Sequence, residues 1–165
     1  MTDLGLRKID HSAIKMNQIT IIVLNILAFI VNTPWLVLLV AVVMLTGVIR
    51  KAPGFDFLYK YVLLPAKLVK TDILDDHPEP HRFAQLLGGI FMTAGAVSLF
   101  LDVAGVGWGL VWLVVVLAAL NSYGGFCVGC AFYYWLGRLK VPGFVKQPPV
   151  GSLPGMRPKG QSNGS

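Results

Sequence analysis

Two long stretches of this chain, 18–49 and 83–136, contain between them a single charged residue, Asp102. Only an environment without water tolerates so much uncharged chain. The whole sequence is 55% hydrophobic and 13% charged, against about 25% charged in a typical soluble domain. A soluble domain, a disordered chain and a disulfide-stapled secreted scaffold are therefore excluded. The composition predicts a small integral membrane protein, all-α, with the lipid bilayer as its first partner.

Lengths set the number of crossings. Residues 18–49 would span ~48 Å as one helix at ~1.5 Å per residue, whereas a bilayer core is ~30 Å thick. The run must fold back, and Asn32-Thr33-Pro34 supplies the break: Asn or Thr caps a new helix, and Pro fits its first turn. Residues 83–136 would span ~81 Å and break at Asp102-Val103-Ala104-Gly105-Val106-Gly107. Four spans are expected, at about 14–31, 34–50, 83–101 and 108–136, arranged as two hairpins. The fourth is overlong, with a weak point at Asn121-Ser122-Tyr123-Gly124-Gly125.

The fourteen Lys and Arg residues test this count. They lie before span one, between spans two and three, and after span four, and neither hairpin turn holds one. Basic residues concentrate in cytoplasmic loops, so both termini and the central loop are expected in the cytoplasm, in a bacterial inner membrane. The net charge of +6 then reflects topology, and no nucleic-acid partner is expected. No small-residue cleavage site follows the first apolar run, so span one is expected to stay in the mature protein.

Outside the spans, residues 1–13 form a cytoplasmic N-terminus. Residues 55–69 mix aromatic and aliphatic residues with Lys60 and Lys67, which predicts a helix in the cytoplasmic interface, kinked at Pro65. Asp72, Asp75, Asp76 and Glu79 follow, with His77-Pro78-Glu79-Pro80-His81. The prolines argue against a helix carrying both histidines on one face, so a solvated acidic turn is expected and no metal site. Residues 142–165, rich in Pro, Gly and Ser, are expected to form a disordered cytoplasmic tail.

The two cysteines stand together as Cys127-Val128-Gly129-Cys130. Residues three apart on a helix share a face, and a helix restarting after Gly124-Gly125 would put Cys127 in its first turn, where a thiolate is stabilised. This makes the pair a candidate redox-active dithiol. A packing reading competes: Gly125 and Gly129 form a small-xxx-small pattern, and cysteine is small and apolar enough to sit in such an interface. Spacing alone leaves both open. Polar residues at span ends, Asn17, Gln18, Arg82 and Gln85, with Asn121 and Ser122 in span four, form a second cluster, and the first four are expected on the same face as the cysteines. Asn17, Gln18, Arg82 and Gln85 either knit spans one and three together or line a vestibule that could receive a headgroup, an anion or a quinone.

Asn17-Gln18, Leu63-Leu64-Pro65, Arg82-Phe83-Ala84-Gln85 and Gly125-Phe126-Cys127-Val128-Gly129-Cys130 together resemble the bacterial membrane family designated domain of unknown function 4395. The resemblance covers about 9–138, and the Gly-Phe-Cys-x-Gly-Cys element is its most specific part. It implies an architecture more than an activity. Some relatives are joined to or encoded beside thioredoxin-like or rhodanese-like domains, which implies a partner of that kind for Cys127 and Cys130.

Two functions follow as expectations. The first is thiol–disulfide redox or sulfur handling through the membrane Cys-x-x-Cys, with no bound cofactor. The second is a non-enzymatic accessory subunit or small transport module, packed with itself as a homo-oligomer or within a larger complex.

Overall fold

A computed structural model describes residues 7–63, 65, 72–144 and 153–157. The architecture is helical. In chain order it runs β1 (Arg7–Asp10), α1 (His11–Val31), α2 (Pro34–Arg50), a short α3 (Asp56–Leu58) continued by a π-turn (Tyr59–Leu63), β2 (Ile73–Asp76), α4 (Pro78–Phe100), α5 (Ala104–Gly124) and α6 (Val128–Arg138). Three of these, α1, α4 and α5, are long and apolar enough to cross a membrane. The fourth apolar helix, α2, has 17 residues, about 26 Å at ~1.5 Å each.

Local chemistry explains each boundary. Helix α1 begins at His11, earlier than its apolar run, because the Asp10 side chain accepts from Ser12 N at 3.0 Å and caps it. It stops at Asn32, which takes the left-handed conformation (φ 51°) and folds its N–H back onto Ala28 and Phe29 carbonyls. Helix α4 likewise starts at Pro78, five residues ahead of the expected span. Prolines 78 and 80 occupy the first turn, where a missing N–H costs nothing. They initiate the helix instead of preventing it.

The single segment expected over 108–136 is two helices. Gly125 adopts φ +63°, a conformation that favours glycine, and ends α5; Cys127 then caps α6. The small-xxx-small reading of Gly125 and Gly129 is corrected accordingly. Gly125 makes a turn, and Gly129 alone packs, against Ala84 of α4, where a Cβ would collide.

Helix α4 is central, in contact with α2, α5 and α6, while α1 packs on α2 and α5. Ile21, Ala28, Val37, Val40, Met44, Met92, Ala96, Leu99 and Val111 form the buried core. Helices α4 and α5 cross closely at Gly95 and Gly107. On the outside, Val23, Leu27, Ile30, Leu39, Val42, Val97, Trp112 and Val116 are exposed, an apolar girdle larger than a water-facing surface carries.

Two segments depart from expectation at the end where α1 and α4 begin and α5 finishes. Strands β1 and β2 pair antiparallel, with Asp10 opposite Ile73 and Arg7 opposite Asp76; no alternating apolar pattern announces so short a ribbon. In the central loop, Phe55 and Tyr59 are buried in protein. Phe55 N donates to Asn17 Oδ1 (2.9 Å), and the Tyr59 hydroxyl donates to Asp10 Oδ2 (2.6 Å). Phe57, Tyr61 and Val62 keep the exposure an interfacial helix would have, and most of the expected 64–69 portion lies outside the described residues. Part of the expected disordered tail is ordered against the core: Met156 bridges Phe126, and Arg157 pairs with Asp72.

The glycine contacts give a contrast. Gly129→Val should cost about 1–3 kcal/mol through overpacking against Ala84. Gly109→Ala, with open space around its Cα, should change stability by no more than about 1 kcal/mol. Denaturation of the detergent-solubilised protein reads both.

Candidate functional site

The break after α5 builds the site. Ending a helix in apolar surroundings leaves N–H and carbonyl groups unpaired, and these need partners. Residues 153–157 supply them: Cys127 N donates to Gly155 O (2.7 Å) and Arg157 N to Gly125 O (3.0 Å). Held extended, Cys127 becomes the N-cap of α6, and its sulfur accepts from Cys130 N at 3.2 Å. The two cysteines form a disulfide, with Cα atoms 5.2 Å apart. Both are nearly inaccessible, 6% and 3% exposed.

A histidine 49 residues away completes the constellation. His81, in the first turn of α4, points Nδ1 at Cys130 Sγ across 3.5 Å. Its Nε2 lies 2.8 Å from Asp76 Oδ2, and since a carboxylate only accepts, Nε2 carries the proton. His11 Nε2 approaches the same oxygen at 3.3 Å, and His77 N donates to Asp76 Oδ1 at 2.7 Å. Asp76 is only 4% exposed. Burial works to raise its carboxyl, yet the imidazoles of His11 and His81 and the His77 N–H outweigh burial and hold it well below the usual carboxylate range. The solvated acidic turn expected here is therefore corrected. Its acidic residue at position 76 is buried because three donors at the strand–helix junction replace its water.

Of the other expected site residues, Asn17 is buried and bonded to the Phe55 backbone, and Gln85 Nε2 donates to Met44 O at 2.8 Å. Each is satisfied by backbone of another element, so the contacts do not form a side-chain network knitting α1 to α4. Arg82 Nε is buried without a hydrogen-bond partner among the described residues. Asn17, Gln18, Arg82 and Gln85 all border one cavity of about 700 Å³, together with Cys127 and Asn121. A second cavity, of about 280 Å³, is lined by His11, Asp72, Asp76, Ser122, Arg157 and both cysteines. Ile14, Gln18, His81, Asn121 and Cys127 border both.

Two donor sets lie close enough to share an ion, each within 4.8 Å: His81 with Cys127 and Cys130, and His11 with Asp76 and His81. Each offers three donors where structural zinc takes four, and a disulfide provides no thiolate for metal. The arrangement is better matched to sulfur chemistry: a helix N-terminus stabilises a thiolate on Cys127, and a carboxylate-oriented imidazole can exchange a proton with Cys130.

Sequence reasoning singled out the cysteines and missed His81, Asp76 and His11. One signal was available. Ala84 and Gly129 are small residues in the two most distinctive motifs, and small residues mark where helices approach closely; their contact brings His81, three residues before Ala84, to the cysteines.

Fold and site together describe a helical protein with three helices long and apolar enough to cross a membrane and a buried Cys-x-x-Cys disulfide facing a histidine at one end of its helices. The chain belongs to the family described as Domain of unknown function (DUF4395), whose model matches residues 9–138. No curated protein and no solved structure matches it significantly.

Asp76 yields a pH prediction. A carboxyl lowered from its ordinary 3.8 stabilises the fold above that value, and the contribution is lost as pH falls below it. Wild-type stability should decline below about pH 4, while Asp76→Asn should be less stable at neutral pH by about 2–4 kcal/mol and lose this part of the acid dependence. Unfolding midpoints across a pH series test it.

Proposed function

We propose that this chain is a bilayer-spanning thiol–disulfide redox protein in which Cys127 and Cys130 cycle between disulfide and dithiol. The observation that carries the reading is the Cys130–His81–Asp76 alignment, 3.5 Å and 2.8 Å between successive partners, beside a disulfide whose other sulfur caps a helix. A cysteine pair that only packed helices would have no use for an oriented imidazole.

Roles follow from position. A thiolate from a soluble dithiol partner of the thioredoxin-like or rhodanese-like type enters through the smaller, polar cavity and attacks Cys127 Sγ. A mixed disulfide forms as Cys130 leaves as a thiolate, which takes up the proton the partner thiol lost on ionising, relayed by His81 Nδ1. The partner's second thiol then releases Cys127, so the partner ends as a disulfide and this chain as a dithiol. In the reverse direction Cys130 gives its proton to His81 Nδ1, and Asp76 stabilises the imidazolium. The accessory-subunit reading has one observation in its favour, the Gly129–Ala84 contact, which accounts for the glycine and not for the cysteines.

In this reading α1, α2, α4 and α5 cross a bacterial inner membrane as two hairpins, with the short turns at 32–33 and 101–103 outside. Helix α6, 11 residues long, stays at the cytoplasmic end with the site. Basic residues support this orientation, because Arg50 and Arg138 close α2 and α6 at that end and neither outer turn carries one.

Alkylation trapping in intact cells, with and without prior reduction, tests the redox role. A substantial oxidised fraction is expected, and Cys130→Ser should capture a soluble protein through Cys127 as a mixed disulfide. His81→Asn should slow exchange with a small dithiol by about 10²-fold or more while the protein still inserts. A pair that stays wholly reduced and unreactive, with cysteine variants fully active, would return the pair to helix packing. Topology has its own check. In a background lacking both cysteines, an impermeant thiol label should reach a cysteine placed at Thr33 or Asp102 in whole cells, and one at Lys51 only after lysis.

A further inference from the structure

The disulfide sits in a wall between two unlike spaces, and we infer that the larger one receives a bilayer-soluble quinone that exchanges electrons with the pair. This rests on the redox reading above and names the lipid-side substrate class. The cavity of about 700 Å³ falls within the range of about 300–1,000 Å³ usual for small-molecule sites. Its walls are graded. Polar and charged residues, among them Cys127, Asn17, Arg82, Lys8, Asp56 and Lys60, gather toward the end where α1 and α4 begin, while Phe91, Val114 and Leu117 line its reach along the apolar helices.

Such a gradient suits a molecule with a flat polar head and a hydrocarbon tail. The donors match carbonyl oxygens: Asn17 uses its oxygen on Phe55 N, which leaves its amide N–H free to donate, and Arg82 Nε is buried with no hydrogen-bond partner among the described residues. The smaller cavity, with His11, Asp72, Asp76 and Arg157 on its walls, has no comparable apolar reach and suits a water-soluble thiol. Cys127 touches both spaces, whereas Cys130 borders only the polar one.

The transfer balances without a further reactant. Both thiols are deprotonated, Cys130 through His81, and the S–S bond forms as two electrons leave the sulfurs. The quinone gains those two electrons and two protons and becomes the hydroquinone. The disulfide is then ready for a soluble dithiol, so electrons run from the polar cavity to the bilayer, or the reverse with a quinol and an oxidised partner.

The test uses the full chain in detergent, reduced and then freed of reductant, with a short-tailed ubiquinone as probe. The expected result is one quinone reduced per cysteine pair, read by quinone absorbance and by loss of two free thiols. Cys127→Ser should abolish it, and Leu117→Trp, which fills the apolar reach, should slow it at least tenfold. A photoactivatable quinone analogue on the unmodified protein provides a readout independent of folding defects. It should label α4 or α5 within the cavity and be displaced by excess ubiquinone. A pair that exchanges with dithiothreitol but passes no electrons to the quinone overturns the inference and leaves the redox reading standing. A pair that exchanges with neither overturns both. Labelling confined to the outer apolar surface, or a cavity held by phospholipid that quinone does not displace, also overturns the inference.

Discussion

Everything at this site depends on how the chain satisfies its backbone where α5 stops. An α-helix that ends in apolar surroundings exposes carbonyls and leaves the next few N–H groups without partners, each costly to bury. Gly125 turns the chain by taking φ +63°, and residues 153–157 bond the turn through Cys127 N and Gly125 O. Remove either and α6 has no fixed start, so the Cys127 sulfur no longer meets Cys130 N. The segment that closes this turn also meets the loop before β2, through Arg157 and Asp72. The cysteine turn, the tail and the entry to α4 are thus tied as one unit.

The same unit positions the histidines. Asp72 O accepts from His11 N, and Asp10 Oδ1 accepts from both Ser12 N and Asp72 N, which joins the start of α1 to the strand leading into α4. Asp76 at the end of that strand receives two imidazoles and a backbone N–H. A buried carboxylate is expensive unless its lost water is replaced, and here three donors replace it. The consequence is directional: Asp76 fixes the His81 proton on Nε2, and the lone pair of Nδ1 faces sulfur. A group that stabilises the junction thereby also sets the tautomer that thiol chemistry needs.

Much of the helical plan was legible in the sequence because the bilayer imposes lengths and because Pro and Gly mark breaks with known mechanisms. The boundary at Pro34 and the weak point at Gly124-Gly125 follow from those rules. The errors have physical causes too. Pro78 and Pro80 look like helix breakers until their place in the first turn is known. Asp76 looks solvated because charge suggests water, and its three donors come from His11, His77 and His81, two of them near in sequence and one brought by α1. Residues 153–157 lie in a stretch rich in Pro, Gly and Ser that does not announce order, since backbone bonds hold them. His81 was the least legible, because its meeting with Cys130 depends on α4 packing against α6 at Ala84 and Gly129, a tertiary contact that two small residues allow but do not by themselves pair.

The two cavities give this arrangement its direction. Asn17 of α1 and Gln85 of α4 both border the larger cavity, yet neither reaches across it. Instead Asn17 is held by Phe55 and Gln85 by Met44, so each helix keeps its polar residues without drawing the other across, and the space between stays open. Elsewhere the core packs closely, at Gly95 and Gly107 or around Ile21 and Met92, while a void of about 700 Å³ borders the disulfide. Interiors close-pack wherever nothing prevents it. Here Asn17 and Gln85 are fixed to their own walls, and the disulfide lies where that open space meets the smaller cavity behind it.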